Sequence, residues 1–186
     1  MTSSEVGPVA RITAAIKETR RKEGTSASEL AERTAALGRP ISRSVVSDLE
    51  TGRKKTLDIS EFLTLAAALN TSPAALLFAD QLVDGEVEIL PGTVASAARA
   101  LEWFSGETPL IDDTPEAGRY RRANEPLRVA REIENDRRAL EFAADEFRAN
   151  RTDITAETFR NALLTTGRHS NVARGLGLII SVDDDG

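Results

Sequence analysis

Apolar residues recur along the first eighty positions at helical spacing. Val9, Ile12 and Ile16 lie three and four residues apart, which puts them on one face of a helix from Pro8 to Lys22, ended by Gly24. Ser26-Ala27-Ser28-Glu29 has the S-x-x-E form of a capping box and opens a second helix, with Leu30, Ala31, Thr34 and Leu37 expected inward. Gly38-Arg39-Pro40 stops it. Ser42 caps a short third helix, Arg43 to Glu50, with Val45, Val46 and Leu49 apolar, and Thr51-Gly52 closes it. A fourth helix is expected from about Ser60 to Leu69, with Phe62, Leu63, Leu65, Ala66 and Leu69 as its apolar set. Ser72-Pro73 starts a fifth, since proline suits the first helical position. The pattern predicts a compact five-helix domain over residues 8–80.

Beyond it the pattern is sparser. Glu86-Val87-Glu88-Ile89 alternates like a short strand, and Thr93 is expected to cap a helix running to Phe104. Residues 106–125 read as a loop, so residues 81–125 make a linker of strand, helix and loop. A longer helix is expected from Pro126 to Ala149, with the stripe Ala130, Ile133, Leu140, Ala144 and Phe147 interrupted by Arg137. Thr155 is expected to cap a helix through Leu164, and Gly175 to Val182 to form a terminal strand. Residues 126–182 thus form a mostly helical region for oligomerisation or partner binding. The fold class is mainly α, with at most one or two short strands.

Composition narrows the chemistry. The 186 residues include no cysteine and one histidine, His169, which excludes thiolate catalysis and a two-histidine zinc helix. His169 is read as an exposed loop residue. No G-x-S-x-G elbow is present, and Gly175-Leu176-Gly177 lacks the third glycine of a dinucleotide loop. We expect neither an enzyme, nor a cofactor, nor a metal. No apolar run approaches the roughly 20 residues that span a bilayer, and the N-terminus lacks the pattern of a signal peptide. A cytoplasmic protein with no membrane association is the expectation. The net charge of −6 is unevenly spread. Residues 1–78 hold 11 basic and 9 acidic side chains, a net of +2, against 13 and 21, a net of −8, in the remainder. All four lysines (Lys17, Lys22, Lys54, Lys55) fall in the first 55 residues.

The segment from Ile12 to Phe78 resembles the Xre/Cro family of helix-turn-helix regulators, which includes lambdoid phage repressors. Three runs carry the resemblance: Ser28-Glu29-Leu30-Ala31, the stretch from Ile41 through Val45-Val46 and Leu49-Glu50 to Gly52-Arg53, and Leu65-Ala66-Ala67-Ala68-Leu69-Asn70-Thr71-Ser72-Pro73. Ala31 to Ser42 is about five residues longer than in compact members of the family and is similar to actinobacterial ones. A second helix longer by a turn and a wider corner are expected there.

The resemblance implies a lambda-repressor-like fold that binds a double-stranded DNA operator through the third helix. Base contacts would come from Ser42, Arg43, Ser44, Ser47 and Asp48, on the face opposite Val45, Val46 and Leu49, because a helix N-terminus reaches base edges in the major groove. Asp48 stands where many members place a basic residue or Gln. It would accept from a cytosine amino group, or orient Arg43 or Arg53. Phosphate contacts would come from Ser26, Ala27 and Ser28 at the second helix start, and from Arg39, Arg53, Lys54 and Lys55. The resemblance also implies a structural ion pair between Arg20 and Glu50, with Arg21 or Lys22 as alternative partners.

Self-cleaving phage repressors use a Ser–Lys pair, but this chain has no lysine after Lys55. A homodimer is expected, since one recognition helix covers few base pairs. The 126–149 helix would pair in a coiled-coil-like contact or pack within its own domain. Two functions compete: a transcriptional repressor occupying an operator, or an antitoxin or adaptor whose acidic C-terminal region binds a partner protein. Arg119-Tyr120-Arg121-Arg122 suggests a second DNA-contacting module, which the −8 charge disfavours.

Overall fold

A computed structural model describes residues 7–78, 85–112, 114–148 and 156–177. The chain divides into two compact units, Met1–Phe104 and Ser105–Gly186. In the first, five helices follow one another: α1 (Pro8–Lys22), α2 (Ala27–Ala36), α3 (Arg43–Glu50), α4 (Ile59–Ala68) and α5 (Pro73–Phe78). After them come β1 (Glu86–Leu90), β2 (Thr93–Ser96) and α6 (Ala97–Phe104). The second unit contains α7 (Pro115–Arg148) and α8 (Ala156–Gly175).

Side-chain caps define the helix starts. Ser26 Oγ accepts from Glu29 N at 3.1 Å while Glu29 Oε2 accepts from Ser26 N at 2.6 Å, completing the capping box of α2. Ser42 Oγ accepts from Val45 N at 3.3 Å, and Ser72 Oγ from Ala75 N at 3.0 Å. The helices converge on a core in which Ile16, Leu30, Val46, Leu49, Leu65, Leu69 and Leu76 are buried. Thr34 is buried with them. Its hydroxyl donates to Ala31 O at 2.7 Å and accepts from Ile41 N at 2.9 Å, so a satisfied polar group ties α2 to the start of the corner.

Several expectations change here. Leu37 is 54% exposed, because α2 ends at Ala36 and Gly38, at φ +82°, turns the chain away; Ile41 fills the inward place. On α4, Leu63 points outward beside buried Phe62, Leu65 and Ala66. Thr93 does not start a helix. Thr93–Ser96 pairs antiparallel with Glu86–Leu90 around Gly92, and Ser96 Oγ caps α6 by accepting from Arg99 N at 3.2 Å. The hairpin and α6 bury Val87, Ala97 and Ala100 against Phe78, whose ring meets Phe104 edge-on at 6.2 Å.

In the second unit most of the expected 106–125 loop is helical. Thr114 Oγ1 accepts from Ala117 N at 3.2 Å, and the helix runs through Pro126, which forfeits one backbone bond. Among the described residues the buried stripe is Val129 and Ile133, with Ala130 exposed, and it packs on Ala173 of an α8 that continues past Leu164 to Gly175; Phe147 lies outside the residues whose side chains are described. The pairings 129/133 with 173 and 136 with 169 make α7 and α8 antiparallel. His169 is therefore a helical residue, half-buried, with Nδ1 2.6 Å from Asp136 Oδ2 and Nε2 3.5 Å from Glu132 Oε2. It is not an exposed loop residue. Gly175 closes α8 instead of opening a strand; the rest of that expected strand, like Thr155, lies outside the described residues. No helix among the described residues is long and apolar enough to cross a membrane.

Candidate nucleic-acid interface

The amphipathic pattern of α3 decides which of its residues face out. Val46 and Leu49 are 1% and 2% exposed, so the opposite face carries Arg43, Ser44, Ser47 and Asp48. Arg43 stands at the first position of the helix, exposed, with no hydrogen-bond or ionic partner among the described residues. The neighbouring hydroxyls are engaged: Ser42 Oγ and Ser44 Oγ are 2.8 Å apart, and Ser42 also caps the helix. Asp48 points its carboxylate at Arg53, 2.8 Å from Nε. Of the two residues Asp48 was expected to orient, it meets Arg53.

A scaffold holds α3 from behind. Arg20 on α1 meets Glu50 at two points, Nε to Oε1 at 2.6 Å and Nη2 to Oε2 at 2.8 Å. The two side chains are 13% and 9% exposed, and the bond to Glu50 holds the Arg20 guanidinium protonated beyond its ordinary range. Arg20 Nη1 also donates to Thr25 O at 2.6 Å, and Lys17 Nζ lies 3.5 Å from Glu50 O. One guanidinium thus joins α1, the turn into α2 and the last residue of α3.

The expected phosphate-contacting residues fall into two sets. At the start of α2, Ser26 N is already bonded to Glu29, leaving the N–H groups of Ala27 and Ser28 as first-turn donors beside a carboxylate. That carboxyl is held below its ordinary range, chiefly by the Ser26 backbone. Around α3 the cations differ in their partners. Arg39 Nη2 lies 3.3 Å from Asp58 Oδ1, and Lys54 Nζ is bonded to both oxygens of Glu61. Arg53 is on Asp48, while Lys55 has no acidic partner among the described residues. Gly52, at φ +70°, makes the turn that carries these cations. Lys54 and Lys55 line a cleft of about 290 Å³ against Pro8, Val9 and Thr13 at the start of α1.

Asp58 and Glu61 did not enter the sequence-based set. They form the capping box of α4, with Glu61 N donating to Asp58 Oδ1 at 2.8 Å and Asp58 N to Glu61 Oε2 at 3.2 Å. The signal was present: Asp58-Ile59-Ser60-Glu61 precedes an apolar run just as Ser26-Ala27-Ser28-Glu29 does. Arg33, also unremarked, bridges Glu23 at 3.3 Å and Thr25 Oγ1 at 3.0 Å.

Residues 16–76 match a family model described as Helix-turn-helix, a segment that takes in the C-terminal part of α1 and all of α2, α3 and α4 and reaches into α5. No curated protein and no solved structure matches the chain.

Proposed function

From the premise that residues 16–76 form a helix-turn-helix domain of the Xre and lambda-repressor-like family, the module of DNA-binding transcriptional regulators, we propose that this chain is a repressor acting by occupying an operator. The observation that carries the reading is the position of Arg43. It is an exposed, uncompensated guanidinium at the N-terminal end of a helix whose back is buried and whose far end is clamped by Arg20. Entering the major groove N-terminus first, α3 brings two parallel donors of Arg43 to the O6 and N7 of a guanine. Ser44, Ser47 and Asp48 follow along the groove. Lys55, Arg53 and the first turn of α2 lie where phosphates would pass, and these contacts set register without reading sequence. Bound there, the protein blocks transcription by excluding polymerase from the promoter.

The working form is a homodimer in this reading, because one α3 covers only a few base pairs and two-fold operators join two half-sites a helical turn apart. DNA binding is assigned to residues 8–80, and oligomerisation or partner binding to residues 126–182. A second reading, an antitoxin or adaptor, rests on the second unit, where Phe142 and Leu164 are 66% and 56% exposed on an acidic segment. A stoichiometric protein partner that changes operator affinity would favour it.

The test is selection of genomic DNA fragments by the full chain, followed by titration of the recovered sequence. Enrichment of a short inverted repeat, with preference lost in Arg43→Ala, is expected. Recovery of no preferred sequence, or equal preference in Arg43→Ala and wild type, overturns the proposal.

A further inference from the structure

The cations flanking α3 are not equally available to DNA, and the acids that occupy two of them, Arg39 and Lys54, sit on one helix end. Asp58 and Glu61 each hold two partners. Asp58 Oδ1 accepts from Glu61 N at 2.8 Å and from Arg39 Nη2 at 3.3 Å. Glu61 Oε2 accepts from Asp58 N at 3.2 Å and from Lys54 Nζ. Arg39 belongs to the corner that enters α3 and Lys54 to the turn that leaves it, so a single capping box grips the chain on both sides of the recognition helix.

We propose that Asp58 and Glu61 are specificity-determining positioning residues that neutralise Arg39 and Lys54 and so suppress sequence-independent binding. This rests on the DNA-binding reading above. Non-specific affinity comes from cations that displace counterions from phosphates. A cation already paired with an internal carboxylate gains less from a phosphate, because it must first give up that carboxylate. Lys54 and Glu61 side chains are 28% and 17% exposed, which keeps their attraction from being fully screened by water. Arg39 and Asp58 are about half exposed and form the weaker of the two holds. Arg43 has no acidic partner among the described residues, so the cation assigned to base reading keeps its full charge. The three-cation run Arg53-Lys54-Lys55 then offers phosphates chiefly Lys55.

Glu61→Gln tests this without uncapping α4, since glutamine serves at the same position of a capping box. With the full chain, affinity for a random-sequence duplex is measured by fluorescence anisotropy from 50 to 200 mM salt. Release of Lys54 is expected to steepen the slope of log K against log salt by about one and to tighten binding roughly fivefold at the lowest salt. The double variant Lys54→Gln/Glu61→Gln is expected to return to the wild-type slope. Asp58→Asn, which keeps an N-cap side chain, is expected to steepen the slope through Arg39. An unchanged slope in folded Glu61→Gln and Asp58→Asn overturns the inference. If the wild type binds no duplex in a salt-dependent way, the DNA-binding reading itself falls, and this inference with it.

Discussion

Arg20 and Glu50, thirty residues apart, meet through two parallel hydrogen bonds of 2.6 and 2.8 Å that fasten α3 to α1. Glu50 sits at the end of α3 with its carboxylate 9% exposed, so removal of Arg20 strands a charge that water reaches poorly. Arg20→Met is expected to lower stability by about 3 kcal/mol, most of it the cost of leaving Glu50 unpaired. The double variant Arg20→Met/Glu50→Leu is expected to recover most of that loss, because two apolar side chains need no partner. Urea denaturation followed by circular dichroism measures both. A single variant as stable as wild type would show that the pair orients α3 without stabilising it.

Base reading and phosphate contact separate in their response to salt and sequence. Arg43→Ala is expected to lose about 1–3 kcal/mol of preference for the operator, with little change on random DNA. Lys55→Ala is expected to weaken binding similarly on every sequence and to lower the salt slope by about one. Titrations of each variant on operator and scrambled duplexes decide between the roles. A sequence-dependent loss in Lys55→Ala would move that residue from the phosphate set to the base set.

Acid removes two helix caps. The Ser26 backbone N–H holds the Glu29 carboxyl below its ordinary range, and the Glu61 backbone N–H does the same for Asp58. A depressed folded-state pKa gives stability that is present above the unfolded value and lost as pH falls through the folded one. Stability is therefore expected to fall from about pH 5 downward, first through the starts of α2 and α4. Arg20 has the opposite sign: its raised pKa gives a contribution fully present below the ordinary arginine range, hence constant across this window. The urea midpoint followed from pH 7 to 3 checks this, and Glu29→Gln is expected to show a shallower acid limb than wild type.

The N-terminal helices were legible because their ends are written locally: Ser26, Ser42 and Ser72 accept the backbone bonds that their positions imply. The later elements carry competing signals. Thr93 follows Gly92 and so reads as a cap after a turn, yet Thr93-Val94-Ala95-Ser96 completes a hairpin whose partner strand is already in place. Pro126 drew the expected start of α7 eleven residues too far along, since proline suits a first turn; the cap is Thr114. The apolar pattern that placed the end of the last helix at Leu164 fades there, yet α8 continues to Gly175. The ion pairs were harder still. Asp48 was expected to meet Arg43 or Arg53 and meets Arg53, but Lys54 with Glu61 joins residues whose proximity depends on how the turn after α3 folds back, and no periodicity encodes that turn.

Gly106 is fixed by its neighbours. It lies at φ +80°, and a Cβ there would stand 2.8 Å from Leu127 Cδ2 and 2.9 Å from Asn124 Oδ1. Asn124 is itself held, with Nδ2 donating to Tyr120 O at 3.0 Å. Gly106→Ala combines a left-handed backbone with a crowded side chain and is expected to destabilise the second unit by about 2 kcal/mol. Thermal unfolding of the full chain, with amide exchange in α7 as the local readout, measures it. An unaltered exchange pattern would mean that the turn moves freely with its added methyl.

The single histidine tests how the second unit is held together. Among the described residues, the apolar seam between α7 and α8 is short: Val129 and Ile133 against Ala173. One helical turn further along α7, the inward position belongs to Asp136, whose side chain is 17% exposed and lies 2.6 Å from His169 Nδ1. A carboxylate that far from water needs its donor. His169→Ala is expected to cost about 1–2 kcal/mol and to speed amide exchange in both helices around residues 136 and 169. Replacing both partners, as Asp136→Leu/His169→Leu, extends the seam by a turn and is expected to restore protection or exceed it. Exchange unchanged in His169→Ala would mean that the His169–Asp136 pair does not hold the two helices together.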